Sequence, residues 1–370
     1  MTRRYVLCLM VRHLYVHIPF CPKVCPYCSF YKETSDRNKT QAFLDAVLRE
    51  AEMEAEGLKP QTVFFGGGTP TALSTTQLQY LIGGLRERID FTDVVEFTLE
   101  MNPATVSLEK AAAMLALGVN RVSMGVQSWD EELLKVLGRV HSGTQAERSY
   151  RILREAGFGN VNLDLIFGIP GQSDQQWRDS LRKTIDLAPD HISAYCLTYE
   201  EDTEFFERFQ RGEMGPETER DSEFFEMAMK ELEGAGYGQY EISNYAKAGR
   251  ECLHNLGYWR AADYAGLGPS AVSTRSGWRR RNVADTAEFT RRVIHAEDRF
   301  ESLEKLDKEI LRFEQIALGL RTREGINAGL LESSQRQQMI GEGLLEESGA
   351  SLRLTLKGRL LADEIAAELV

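Results

Sequence analysis

The sequence predicts an α/β protein, a partial parallel barrel of six β/α units followed by a small, mostly helical C-terminal domain. Three observations carry this expectation. Short apolar, β-branched runs alternate with longer amphipathic segments as far as Tyr199, the pattern of repeated βαβ units and a parallel sheet. Several of the runs end in polar or glycine-bearing tails, as strands do on the working face of a parallel barrel. Beyond Tyr199 the rhythm changes to a long charged helix over 218–234 and a glycine-rich stretch, "YAGLGPSAVST".

In order, the six strand-like runs are "LYVHIPF" from Leu14, "TVFFGGG" from Thr62, "EFTLEMNP" from Glu96, "RVSMGVQS" from Arg121, "NVNLDLIFGIP" from Asn160 and "HISAYCLTY" from His191. Apolar spacing predicts helices between them over 40–56, 75–89, 108–117, 144–156 and 175–187. The polar tails are 66–69, 100–102, Gln127 with Ser128, and Asp164. The chain divides into an N-terminal extension (1–13), the barrel (14–240), a connecting segment (241–300) and a C-terminal domain (301–370). In the last, a short strand pair before a helix suggests a winged-helix-like module, without a basic recognition helix.

Composition narrows the function classes. At 42% hydrophobic and 27% charged residues the chain is an ordinary globular protein rather than a disordered or fibrous one. Its 56 acidic and 44 basic residues give a net charge of -12, which repels polyanions and argues against a nucleic-acid partner. Arg279, Arg280 and Arg281 are the basic exception and read as a solvated turn. Six cysteines, three of them in one cluster, do not form a disulfide framework and point to a reducing cytoplasm. No stretch approaches the roughly 20 apolar residues of a membrane span. Thr2, Arg3 and Arg4 precede an apolar run that ends at Arg12 with no small-residue cleavage site after it, so export is not expected.

The cluster is "CPKVCPYC", with Cys21, Cys25 and Cys28 spaced C-x3-C-x2-C. A tight loop of this spacing can wrap three thiolates around an iron-sulfur cluster, leaving one iron for an outside ligand. Two other readings are open: zinc held by the three thiolates and His17, and haem ligation at the Cys-Pro pairs of Cys21 and Cys25. Of the other cysteines, Cys8 and Cys196 read as buried small hydrophobes, and so does Cys252, which is also a candidate haem thiolate. Met101 and Met124 read as core.

The three cysteines after a first strand, followed by "GGGTP" (66–70), resemble the radical S-adenosylmethionine superfamily. That resemblance implies a 4Fe-4S cluster on Cys21, Cys25 and Cys28. Its open iron would chelate the amino and carboxylate groups of S-adenosylmethionine, and an electron passed to the sulfonium would give a 5'-deoxyadenosyl radical. Glycines without Cβ would let the backbone approach that ligand closely. More closely, "YVHIPFCPKVCPYCSF", "FFGGGTPT", "EMNP", "MGVQSW", "LGRVHS", "LDLIFGIPGQ" and "HISAYCLTYEEDT" are similar to the oxygen-independent coproporphyrinogen III oxidase family. Carried over position by position, Tyr15, Gly67, Gly68, Thr69, Glu100, Gln127, Arg139 and Asp164 are implied contacts to S-adenosylmethionine.

Two features separate the branches of that family. The decarboxylases have a further cysteine two residues after the third, where this chain has Phe30, and a long segment ahead of the cluster, where it has 20 residues. The sequence therefore resembles the haem-chaperone branch, which carries a motif H-N-x-x-Y-W, here "HNLGYW" (254–259). The resemblance implies haem binding, with His254 as axial ligand and Tyr258 and Trp259 stacking on the porphyrin. Implied with it are respiratory haem-acceptor proteins as partners, a homodimer, and a cytoplasmic place peripheral to the inner membrane. The alternative is oxidative decarboxylation of coproporphyrinogen III propionates.

Overall fold

The computed structural model describes residues 10–34 and 37–369. Thr2, Arg3, Arg4 and Cys8 lie outside the described residues, as does most of the expected N-terminal extension.

All six expected strands form. They are β1 (Val11–Ile18), β4 (Leu58–Gly67), β5 (Glu96–Met101), β6 (Arg121–Gln127), β7 (Val161–Phe167) and β8 (His191–Cys196). The first two start earlier than the apolar runs suggest. Between β1 and helix α1 (Arg37–Glu54) lies the cysteine loop, bracketed by the short parallel pair β2 (Phe20–Cys21) and β3 (Glu33–Thr34). Helices α2 (Thr75–Arg88), α3 (Leu108–Ala116), α4 (Glu131–Val136), α5 (Gly143–Ala156) and α6 (Asp174–Leu187) make the crossovers. The starts of α2, α5 and α6 are written locally: Ser74, Ser142 and Ser173 each cap a helix whose third residue is glutamine, and both bonds of the capping box are made.

The six strands pair in chain order and in parallel. Side chains alternate between the two faces of the sheet. One set is apolar: Leu14, Val16, Val63, Phe65, Phe97, Leu99, Val122 and Met124 are buried in one core with Phe43, Val47 and Leu81 of the covering helices. The alternate set is polar, including His13, Tyr15 and His17, Thr62, Glu96 and Glu100, Arg121 and Ser123, Asn162 and Asp164, and His191 and Ser193. These groups face the barrel interior and bond one another. Asn162 Nδ2 donates to Ser123 Oγ at 2.7 Å and to Asp164 Oδ1 at 2.7 Å, while the His191 ring joins Asn162 Oδ1 and the Tyr240 hydroxyl, each at 2.7 Å.

The expected connecting segment is instead built into the sheet. After α7 (Glu204–Gln210) and α8 (Thr218–Gly234), β10 (Asn244–Ala246) pairs antiparallel with β8, and β9 (Gly238–Glu241) pairs antiparallel with β10 at the sheet edge. Helix α9 (Leu253–Trp259) follows, and β11 (Tyr264–Leu267) then pairs in parallel with the free edge of β1. Strands β12 (Val272–Arg275), β13 (Trp278–Asn282) and β14 (Phe300–Lys305) continue antiparallel beyond it, with α10 (Thr286–Ile294) between the last two. The twelve strands of this described sheet thus leave the barrel open. The glycine-rich stretch folds as a hairpin whose close approach needs glycine, since a Cβ on Gly266 would lie 2.2 Å from the carbonyl oxygen of Val272.

Arg279, Arg280 and Arg281 are correspondingly not a solvated turn. They lie in β13, where Arg279 makes a two-pronged pair with Glu314 at 2.6 and 2.8 Å. Buried Glu50 of α1 secures this extension by accepting from Arg299 at 2.8 Å, the Gly268 amide at 2.7 Å and Asn282 at 2.7 Å. Such a charge is tolerated inside only when its lone pairs are filled this way.

The C-terminal unit begins at α11 (Lys308–Leu320), since β14 crosses the expected boundary at 301 and belongs to the main sheet. It has its own core, from Ile316 to Leu369. Strand β15 (Ile326–Asn327), helix α12 (Ser333–Gly341), β16 (Leu345–Ser348), β17 (Ser351–Leu354), α13 (Leu356–Leu360) and α14 (Ala362–Leu369) complete it. The expected strand pair is β16 and β17, and β15 adds a third strand to it. Among the described residues no helix is long and apolar enough to cross a membrane.

Candidate cofactor site at the strand ends

The cysteine loop is clamped between β1 and the glycine run that ends β4. The Gly68 amide donates to Ile18 O and the Thr69 amide to Phe20 O, both at 2.8 Å. This approach explains the glycines directly. Gly67 has φ +102°, and a Cβ there would lie 2.4 Å from the His17 ring; one on Gly68 would lie 2.7 Å from the Pro19 carbonyl. The run is therefore required by packing of this chain against itself, before any ligand is considered. On the far side, the Phe205 amide of α7 donates to Pro26 O at 3.0 Å.

Each cysteine has a different neighbour. Cys21 Sγ lies 3.5 Å from Thr69 Oγ1, the Nη1 of Arg139 donates to Cys25 Sγ at 3.6 Å, and Lys32 Nζ donates to the Cys28 carbonyl. Burial pushes the Cys21 and Cys28 thiols up, opposed for Cys21 by the Thr69 hydroxyl and for Cys28 by the Lys32 charge. All three thiols are free. They feel one another's charge, although among the described residues no three His, Cys, Asp or Glu side chains converge as a ready metal cage. Three soft donors on one loop, beside an arginine and a lysine that favour thiolate, fit an iron-sulfur cluster in chemistry. The zinc reading loses its fourth ligand. His17 Nε2 donates to Tyr31 O at 2.9 Å and Nδ1 pairs with the Tyr15 hydroxyl at 3.1 Å, and burial holds the ring neutral, with its pKa lowered to about 4.

The strand ends beside the loop carry the other expected residues. Glu100, at the end of β5, accepts from the Gly67 amide at 3.2 Å. Its carboxyl is pushed up to about 8, first by burial and then by the charge of Asp164. Asp164, on β7, is itself raised by burial, and accepts from Ser123 at 3.2 Å. Two carboxyls close enough for the charge of one to raise the other, one of them held neutral, are a ready acceptor pair for a cationic amino group or for ribose hydroxyls. Gln127 sits at φ +67°, where pairing of β6 with β7 shifts register after Gly125. A bulge and a left-handed non-glycine residue together re-aim a side chain at a cost. Arg139 donates Nη2 to Gly125 O at 2.8 Å, while its buried Nε has no partner. Thr69 and Arg139 thus touch the cysteines, Gly67 and Gly68 pack against the start of the loop and Tyr15 bonds the His17 ring, while Glu100, Gln127 and Asp164 lie on the neighbouring strands β5, β6 and β7.

His254 does not join them. It is wholly buried in the barrel interior, at the start of α9. Its Nδ1 pairs with Thr62 Oγ1 at 2.8 Å and its Nε2 with the Tyr258 hydroxyl at 3.0 Å. The ring stacks on Phe64, 5.1 Å between centroids. Burial, with His13 and Arg121 nearby, lowers its pKa to about 3. Both ring nitrogens are thus committed to neighbours within the fold. Cys252 is likewise buried, its Sγ donating to Glu96 Oε1 at 3.5 Å. That fits the expected small hydrophobe better than a haem thiolate. Cys196, expected buried, is exposed, because it is the last residue of β8 beyond the cover of the core.

Sequence reading missed two things. Glu96 accepts from the Leu253 amide at 2.8 Å and the His254 amide at 2.9 Å, anchoring α9 inside the barrel. Its signal was the polar alternation in "EFTLE", which marks an inward strand face. The second is a cavity of about 590 Å³ beside the cysteine loop, bounded by Tyr15, Phe30 and Tyr31 on one side and by β11 to β13 and α11 on the other. No local motif announces it, since its walls come from segments more than 200 residues apart.

Residues 15–184 match the radical SAM superfamily model. The chain is 34% identical over 373 residues to the heme chaperone HemW of Bacillus subtilis, covering 96% of this chain and 98% of that one. It is 40% identical over 263 residues to the heme chaperone HemW of Escherichia coli, covering 70% and 68%. The solved radical SAM coproporphyrinogen III oxidase HemN of Escherichia coli has the same fold, with a TM-score of 0.83 over 97% of this chain and 89% of that chain, at 23% identity. The loop of three cysteines, the glycine run on it and a likeness that runs nearly end to end place this chain in the HemW family of radical SAM proteins.

Proposed function

We propose that this protein is a haem chaperone: it binds haem, holds a 4Fe-4S cluster with S-adenosylmethionine, and passes haem to respiratory apoproteins. The observation that carries the reading is the cysteine loop itself. It presents Cys21, Cys25 and Cys28 and then Phe30, 64% exposed, where the decarboxylases that it resembles carry another cysteine. The HemW relatives, matched over nearly the full chain, support it.

In this reading Cys21, Cys25 and Cys28 would hold the cluster, which when bound would supply an electron to the sulfonium of S-adenosylmethionine. Glu100 and Asp164 take up the amino group or ribose hydroxyls. Ionisation of Glu100 on meeting a cation would release a proton, because the carboxyl is held near pKa 8 without one. Arg139 and Gln127 orient the remaining polar atoms from β6 and the turn before α5. The protein works in the cytoplasm, against the inner membrane where its acceptors lie.

The test runs haem titration of the full-length protein beside an anaerobic assay of the reconstituted protein with coproporphyrinogen III. Haem binding without decarboxylation is expected. Decarboxylation over many turnovers would overturn the reading in favour of the oxidase.

A further inference from the structure

A small polar cavity lies where the C-terminal unit is stitched to the edge of the main sheet. Strand β9 and the turn after α11 exchange backbone bonds there: the Arg323 amide donates to Tyr240 O at 3.0 Å and the Ile242 amide to Arg321 O at 3.1 Å, and Glu241 bridges Thr322 as in an antiparallel pair. Beside this seam is a space of about 100 Å³, bounded by β9 and Ile242, the end of α11, β16, β17 and α13. It has room for a small polyatomic ion and lies well below the roughly 300 Å³ at which pockets for organic ligands begin. We infer that it is a binding site for free phosphate in its hydrogen phosphate form, independently of the chaperone reading.

The lining carries an excess of cations. Arg321, Arg323, Arg353 and Arg359 stand there with two acids, Glu241 and Glu346. Three of the arginines are partly engaged, Arg321 with Asp363, Arg323 with Glu251 at 2.8 Å and Arg359 with Gln239 Oε1 at 2.8 Å. Arg353 makes no side-chain hydrogen bond or ion pair among the described residues, although Glu346 stands opposite it in the β16 to β17 register. The Nε atoms of Arg353 and Arg321 are both buried without a partner. Buried donors of this kind are costly to leave empty, and planar guanidinium forks suit the oxygens of a phosphate.

Glu241 selects among the oxyanions. It is 2% exposed, and its Oε1 accepts from the Ser243 amide at 3.0 Å and from Asn244 Nδ2, while its Oε2 is buried without a partner. Burial raises its pKa, opposed by the Asn244 bond and the Arg321 charge. A carboxylate oxygen in an arginine-lined cavity repels a bare anion but accepts from one that brings its own proton. Hydrogen phosphate has a P–OH to donate; sulfate has none, and a phosphate monoester loses its proton above a second pKa of about 6. An ion held by β9 and the C-terminal unit at once stabilises the seam between them, since it binds only when both are in place.

The experiment titrates inorganic phosphate, sulfate and glycerol 3-phosphate into the full-length protein near pH 8 at constant ionic strength, read by calorimetry and by the shift in melting temperature. Saturable phosphate binding with a rise in melting temperature is expected, and sulfate and the monoester should bind about tenfold more weakly. Arg353→Gln should weaken phosphate binding about tenfold. Glu241→Gln keeps an acceptor for Ser243 and Asn244 and should remove most of the discrimination against sulfate. Arg353 has no partners to lose, so its variant decides the matter even where Glu241→Gln fails to fold. Wild-type protein without saturable phosphate binding would leave the cavity to water and overturn the inference. Phosphate affinity unchanged in Arg353→Gln, or sulfate or glycerol 3-phosphate bound by the wild type as tightly as phosphate, would overturn it too.

Discussion

The strand-end site and the α9 segment lie in the same barrel interior, and both were conspicuous in the sequence, yet they are opposites in how their polar groups are treated. At the strand ends the Arg139 Nε has no partner, Glu100 is held neutral to about pH 8, and Gln127 occupies a left-handed conformation. At the start of α9, the His254 ring is bonded on both nitrogens, and its amide and that of Leu253 are capped by Glu96; only Trp259 Nε1, at the other end of the helix, is buried without a partner among the described residues of α9. Buried polar groups are normally satisfied. A set left under-partnered and strained marks a place built for something that is not part of the chain. The satisfied start of α9 marks a joint in the fold.

That contrast can be broken by substitution. The largest effect is expected at the strand ends. Cys25→Ala leaves two thiolates on the loop, and iron and sulfide content after anaerobic reconstitution should fall to background, with thermal stability of the cluster-free protein little changed. Full iron retention would show that the cluster is held elsewhere.

At the joint the effect is on stability instead. Glu96→Ala removes the acceptor of two buried amides at the start of α9 and should cost about 2–4 kcal/mol in urea denaturation. Glu96→Gln keeps one acceptor oxygen and should lose less. Equal stability of Glu96→Ala and wild type would mean that α9 is not a structural joint.

The smallest effect is a pH slope. The His254 pKa is lowered to about 3 in the fold from an ordinary 6.5. Between those values the unfolded chain binds a proton that the native ring refuses. The buried neutral ring therefore contributes fully above pH 6.5, and its contribution is lost as pH falls towards 3, by up to about 1.4 kcal/mol per pH unit. His254→Gln can keep the bonds to Thr62 and Tyr258 without this titration. Its stability relative to wild type should improve on acidification from pH 6 to pH 5, and a parallel pair of pH profiles would show that the ring already titrates normally.

By itself the sequence determined the six parallel strands, the helices between them and the loop of three cysteines. Those features are written within a few neighbouring residues: alternation along a strand, apolar spacing along a helix, three thiols on one loop. Only the tertiary structure decided the rest. It turned the glycine-rich text into β11 and β12, put the three arginines into β13, and moved the C-terminal boundary past β14. It also sent His254 inward and opened a cavity between residues 30 and 264. In each case the deciding contact joins segments far apart in the chain, such as Glu96 to His254 or Glu50 to Arg299. Local periodicity carries no record of such pairs, because the energy that selects them is that of burying one charge or one ring against a partner the sequence does not place beside it.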